Sequence, residues 1–257
     1  MTSQTTLPEV HSEYVQAGAL QMYCETQGQG RPLRLLHVGL ASIETSFEKS
    51  RPVLAKRWTT LAVEQQGHGH TADIDRPLAY EQMVEDTAAL LRQKKVANAD
   101  VSGRSDGGIV ALGLAARYPG LDRKVATIGS GYNTEAWKPD VKQRQAALKP
   151  DNEHMLPFRN AYRSVAPKPV DWPLLIEKVK AMWAGFKGWP EAEIRSLKAP
   201  LMVMLGDDDF IRPEHALELV RMVLMGRLAI LPGSDHSAPV THSDWVTAML
   251  VDFFDAP

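Results

Sequence analysis

The sequence predicts an α/β fold, a mostly parallel eight-stranded sheet flanked by helices. Three observations predict it. Eight short β-rich runs recur along the 257 residues, most of them separated by helical stretches. Several of these runs are continuously apolar, as strands buried on both faces must be, instead of alternating. Strand–helix alternation of this kind places helices on both faces of a sheet.

The runs follow in order. SEYVQAG and LQMYCETQG, joined at a glycine, read as an antiparallel hairpin. LRLLH, TTLAVE (59–64), ADVSG (99–103), KVATIGS (124–130), LMVML (201–205) and RLAIL (227–231) supply the other six. Between them YEQMVEDTAALLRQ (80–93) sets Met83, Thr87, Leu90 and Leu91 on one helical side. GGIVALGLAARYP is small and apolar on nearly every side, the signature of a helix buried all round. The last helix, SDWVTAMLVDFF (243–254), has Ser243 placed as its N-cap.

One region breaks this rhythm. From about 131 to 198 there is no strand candidate, and Trp137, Trp172, Trp183 and Trp189 concentrate there. In DWPLLIEKVKAMWAGF, Asp171 reads as an N-cap and Pro173 falls in the first turn. Leu175, Val179, Met182, Trp183 and Phe186 then give an amphipathic helix. Two readings stand: a helix packed on the main core, or a helical lid over a pocket. The lid reading divides the chain into a core of residues 1–130 and 199–257 and an insertion of residues 131–198.

Lys+Arg number 29 against 31 Asp+Glu, which offers no long-range attraction to nucleic acid or an anionic membrane. MTSQTTLPEV has neither a basic nor an apolar run, so it does not read as a signal peptide, and no apolar stretch is long enough to cross a bilayer. The single cysteine, Cys24, has no internal disulfide partner and reads as a buried bystander in a reducing, cytoplasmic setting.

The chemistry gathers at strand ends. Gly103-Arg104-Ser105-Asp106-Gly107 spells G-x-S-x-G after a strand-like run and before the buried helix. In that context the pattern is a nucleophile elbow, with Ser105 as nucleophile. Any side chain at Gly103 or Gly107 is expected to clash with the adjacent strand or helix. Downstream, one strand ends in Asp207, Asp208 and Asp209, and the next in a loop carrying His236. In a parallel sheet these ends share one edge, where ligands bind. The order Ser, Asp, His is that of α/β-hydrolases.

Taken together, LLHVGL (35–40), QGHGHT (66–71), GRSDGG (103–108), GDDDFIRP (206–213) and PGSDH (232–236) resemble the lid-bearing serine esterases of the α/β-hydrolase fold over nearly the whole chain. The resemblance implies Asp209 as the acid, with Asp207 a turn residue and the main rival, and Asp208 solvated. It implies His236 as the base, with His242 the nearby competitor at the start of the last helix. The oxyanion donors would be the backbone N–H groups of Asp106 and Gly39. Val38, Leu40, Arg104, Trp137 and Trp183 are expected around the substrate pocket. His68 and His70 read as supports of their loop, since no carboxylate or cysteine stands at a zinc-like spacing.

Three positions depart from the usual pattern: Val38 in place of a glycine, Arg104 before the serine, and Glu64 in place of an aspartate. They fit either natural specialisation or redesign of an esterase. Arg104 has two readings, a local pair with Glu64 or a reach into the pocket toward an anionic group. The implied reaction is ester hydrolysis through an acyl-enzyme, with no metal or cofactor, on a small and apolar ester. A C–C bond hydrolase or hydroxynitrile-lyase-like activity uses the same triad. A ligand-binding receptor with residual hydrolysis is the third reading. A serine nucleophile argues against haloalkane dehalogenases and epoxide hydrolases, which attack through a carboxylate.

Overall fold

The computed structural model of the chain describes residues 9–257. The opening segment MTSQTTLP, including most of the stretch read above as no signal peptide, lies outside the described residues.

All eight expected runs form strands: β1 (His11–Ala17), β2 (Leu20–Gln27), β3 (Arg31–Leu36), β4 (Trp58–Val63), β5 (Ala99–Arg104), β6 (Asp122–Ile128), β7 (Leu201–Gly206) and β8 (Gly226–Leu231). They make one sheet in the order β1-β2-β4-β3-β5-β6-β7-β8. β1 and β2 are the expected antiparallel hairpin, and β2 also runs antiparallel to β4. From β4 across to β8 every pairing is parallel. The strand order reverses between β3 and β5, and in such sheets ligands bind at that point, beyond the strands' C-terminal ends.

Strand periodicity sends the core to two faces. Leu201, Val203 and Leu205 of β7 join one apolar cluster, and Met202 and Met204 join the other. The first cluster packs under helices Tyr80–Gln93, Asp106–Arg117 and Pro213–Met222. The second lies under Ile43–Phe47, Arg51–Leu54 and Ser243–Asp255. The central helix is buried from Asp106 through Ala115, as its uniformly small, apolar sequence requires.

Between β6 and β7 the described chain forms helices Val141–Ala146, Leu156–Val165, Trp172–Gly185 and Glu191–Arg195, with short 3-10 turns. Leu175, Val179, Met182 and Phe186 are buried on the expected face, and Trp183 is partly buried. The segment is tied to the core by polar contacts. Lys178 Nζ donates to Asp73 and to the carbonyls of Ile74 and Arg76, and Trp189 Nε1 donates to the Ile109 carbonyl at 2.8 Å. Asp171 is the N-cap residue, but its side chain makes no capping hydrogen bond.

The last helix corrects the expectation for Ser243. His242 is the N-cap and Ser243 is already helical, because a short helix, Ala238–Thr241, runs directly into it. Within the described residues no helix is long and apolar enough to cross a membrane.

Candidate active site

Ser105 sits between β5 and the central helix at φ 50, ψ −119. A non-glycine residue there stores backbone strain, which persists only when its surroundings over-determine it. Its N–H donates to the Ile128 carbonyl at 2.8 Å, and its carbonyl accepts from the Ser130 hydroxyl at 2.8 Å and the Gly108 N–H at 2.9 Å. The flanking glycines are required by contact. A Cβ on Gly103 would lie 2.2 Å from the Gly107 carbonyl oxygen, and one on Gly107 would lie 2.2 Å from that of Leu36.

Asp209 and His236 come together after β7 and β8. His236 Nδ1 lies 2.8 Å from Asp209 Oδ1, and Asp209 is buried. The carboxylate can only accept, so Nδ1 carries the proton and Nε2 is left as the basic nitrogen. Both groups abut the backbone beside Ser105: a Cβ on Gly129 would lie 2.8 Å from His236 Nδ1 and 3.1 Å from Asp209 Oδ2. Asp207 instead accepts the N–H groups of Gly233 and Ser234 at 3.0 Å each, which hold its carboxyl below the usual range. Asp208 is exposed and pairs with Lys138. His242 stacks on Trp245, away from this cluster.

Opposite Ser105, Val38 to Ala41 form a turn closed by the Ala41 N–H donating to the Val38 carbonyl at 3.2 Å, with Leu40 at φ 62. Gly39 faces the first residue of the central helix: a Cβ there would lie 2.1 Å from Asp106 Oδ2. The first N–H groups of a helix have no intrahelical carbonyl, so the Asp106 amide is a free donor of the kind an oxyanion needs. The Asp106 side chain occupies the same neighbourhood. It accepts from the Tyr80 hydroxyl at 2.7 Å and from Trp183 Nε1 at 3.1 and 3.2 Å. Burial holds the Asp106 carboxyl above its ordinary range, against the effect of those two donors.

Arg104 does not form the expected pair with Glu64. It is 7% exposed, and its Nη1 donates to the Ser46 carbonyl at 2.5 Å and not to Glu64. Burial brings its guanidinium down to about 10, and the negative charge of Asp209 opposes that shift. Glu64 accepts from the Ile43 N–H at 3.0 Å and from both the backbone N–H and Nδ1 of His70, at 2.6 and 3.0 Å. That contact raises the His70 pKa. His68 Nδ1 lies 2.9 Å from the Gln66 carbonyl, and burial pushes its ring down to about 4, so it stays neutral. His68 and His70 thus bond within their own loop.

Val38 is half-buried, and its N–H donates to Ser46 Oγ at 3.3 Å. Leu40 is buried, and Trp137 pairs with Ile211 through an isolated bridge. Three participants were not anticipated from the sequence. Tyr80 is the first residue of a helix far from the motifs, Ser46 lies in a short helix, and Phe210 stacks on His236 with centroids 4.6 Å apart. Only Phe210 lies within a quoted motif, GDDDFIRP, next to Asp209, and its side chain was the available clue.

Comparison with known proteins agrees with this fold. A family model described as the alpha/beta hydrolase family matches residues 35–249. Serine hydrolase BPHL of Mus musculus is 28% identical over 95% of this chain and 86% of its own length. The 2-hydroxymuconate semialdehyde hydrolase of Pseudomonas sp. strain CF600 is 24% identical over 98% of this chain and 96% of its own. Among solved structures, a 2-hydroxy-6-oxo-6-phenylhexa-2,4-dienoate hydrolase from Rhodococcus sp. strain RHA1 superposes with a TM-score of 0.78 at 22% identity, covering 98% of this chain and all of that one. With the motifs spread across the matched span and the same sheet beneath them, this chain belongs to the alpha/beta hydrolase family.

Proposed function

We propose that the protein is a serine hydrolase that cleaves a small, apolar carboxylic ester, with Ser105, His236 and Asp209 as its triad. The observation that carries this reading is the buried Asp209–His236 hydrogen bond beside a strained Ser105 on the C-terminal edge of a parallel sheet. His236 Nε2 takes the Ser105 proton as the hydroxyl attacks the ester carbonyl. The amides of Gly39 and Asp106 hold the oxyanion, the alcohol leaves with the proton, and water then regenerates the serine through the same histidine. Residues 131–198 serve as a lid, and the Trp183–Asp106 contact is where it meets the reacting centre. The apolar lid face supports an apolar substrate, and a lone buried cysteine suits a reducing cytoplasm.

Carbon–carbon bond hydrolysis is the second reading, favoured by the long alignment with the semialdehyde hydrolase. Charge speaks against an anionic dienoate-type substrate. Arg104 is committed to Ser46, and the side chain that borders Gly39 is a carboxyl. The test is hydrolysis of p-nitrophenyl esters from acetate to octanoate beside the Ser105→Ala protein. Turnover that vanishes in the variant supports ester hydrolysis, and chain-length dependence maps the apolar site. Ester turnover that survives Ser105→Ala sinks the assignment. Negligible ester turnover with cleavage of a vinylogous diketone moves it to the second reading.

A further inference from the structure

Three departures from the family pattern, at Val38, Glu64 and Arg104, lie far apart in sequence but converge on one short helix, Ile43–Phe47. Glu64 Oε1 accepts its first N–H, from Ile43, at 3.0 Å. Arg104 Nη1 donates to a carbonyl of its last turn, that of Ser46, at 2.5 Å. A helix leaves its last carbonyls without intrahelical donors, and Arg104 supplies the donor here. Between the two grips, Ser46 Oγ accepts the Val38 N–H at 3.3 Å. Val38 opens the turn that carries Gly39. Each grip is buried: Glu64 is 1% exposed and Arg104 7%.

The reach of each side chain explains its identity. Glu64 bonds two loops at once, taking the Ile43 N–H with one oxygen and His70 with the other. Gly69 makes room for it, since a Cβ there would lie 2.2 Å from the Glu64 carboxyl. Arg104 is the residue immediately before the nucleophile, so a single side chain runs from the Ser105 elbow to the helix that supports the opposite turn. A buried guanidinium is costly to desolvate, and replacing it by an apolar residue would ordinarily cost a fold little. Its placement therefore asks for a role in the geometry of the site.

We infer that Arg104 is a positioning residue, which holds the Gly39-bearing turn against the Ser105 elbow through Ser46. This rests on the proposed role of the Gly39 amide as an oxyanion donor. A donor acts only on the charge that develops in the transition state, so loosening it lowers kcat and leaves KM in place. Loss of one oxyanion donor costs on the order of 10²–10³ in rate, and a displaced donor loses part of that.

The experiment compares Arg104→Met, Arg104→Lys and Ser46→Ala with the wild type on a p-nitrophenyl ester, across pH, with amide hydrogen exchange at Val38. The expected kcat losses are about 10–100-fold for Arg104→Met and about 3–10-fold for Ser46→Ala, with KM within about twofold. Arg104→Lys keeps one donor and recovers most of the loss. Val38 exchanges faster in both Arg104→Met and Ser46→Ala, and the acid limb of the pH profile stays in place.

Arg104→Met at wild-type kcat overturns the inference. So does an acid limb moved by Arg104→Met with Ser46→Ala unaffected, because Arg104 would then act through the charge of Asp209. If Arg104→Met does not fold, Arg104→Gln decides: slower turnover with faster Val38 exchange supports the brace, and wild-type behaviour on both counts removes it. A wild type with no Ser105-dependent turnover is a different failure, which removes the proposed function and this role with it.

Discussion

The two sides of the site are held by different means. On the side of the proposed triad, Ser105, Asp209 and His236 each stand within a few residues of a strand end, beside local backbone bonds and glycines that admit close approach. On the proposed oxyanion side, the turn from Val38 to Ala41 bonds Ser46 of the short helix Ile43–Phe47, and that helix is gripped by the remote side chains of Glu64 and Arg104. The first arrangement recurs wherever the strand–turn–helix pattern recurs. The second depends on a set of long-range partners that must be present together. Substitution should therefore abolish activity on the triad side and grade it on the other.

The sharpest break is Asp209→Asn. The amide loses the charge that orients His236 and stabilises its imidazolium, so kcat should fall by about 10⁴. The fold should be intact, as a shared thermal midpoint would show. A loss under about tenfold would transfer the acid role to Asp207, the other aspartate of the G-D-x-D pattern.

Phe210→Ala probes the same side more gently. Phe210 stacks on His236 with an interplanar angle of 21°, and Arg144 caps its other neighbourhood with the guanidinium carbon 4.9 Å from the ring centroid. An aromatic contact of this kind is worth about 0.5–1.5 kcal/mol, so kcat should fall about 2–10-fold as the imidazole gains freedom. Steady-state kinetics with an unchanged KM would support a positioning effect on His236.

The smallest expected effect lies on the oxyanion side and is one of stability. Burial raises the Asp106 pKa in the folded state, so Asp106 favours folding below the ordinary carboxyl range. That contribution is lost as pH rises through the folded value. Asp106→Asn removes the ionisation and should raise the thermal midpoint at pH 8 relative to wild type. The gain should disappear near pH 4, and a gain constant with pH would mean that Asp106 is not strained by its charge.

The contrast between the two sides also decides what the sequence could reveal. All eight strands were legible because their cue is local: a continuous apolar run for β7, for instance, and a glycine-separated pair for β1 and β2. The elbow was legible for the same reason, since Gly103 is demanded by neighbours four and five residues away and Gly107 by the end of β3. The Asp209–His236 contact was reachable because both residues follow adjacent parallel strands, β7 and β8.

What stayed hidden was non-local. Arg104 could be noticed as unusual, but a partner 58 residues earlier in the chain leaves no periodic trace. Pairing it with Glu64 joined two charges by sign, whereas Glu64 was already occupied by Ile43 and His70. Tyr80 was equally invisible, because its hydroxyl reaches Asp106 from the start of a helix whose sequence speaks only for its apolar side. The miss at Ser243 was one of position: a preceding short helix moved the cap back to His242.

One measurement tests the central claim most directly: the intact mass of the wild-type protein and of Ser105→Ala after incubation with a fluorophosphonate, followed by peptide mapping. A strained serine activated by His236 predicts one adduct per wild-type chain, located on Ser105, and none on the variant. An unlabelled wild type, or an adduct mapped to any other residue, would contradict it.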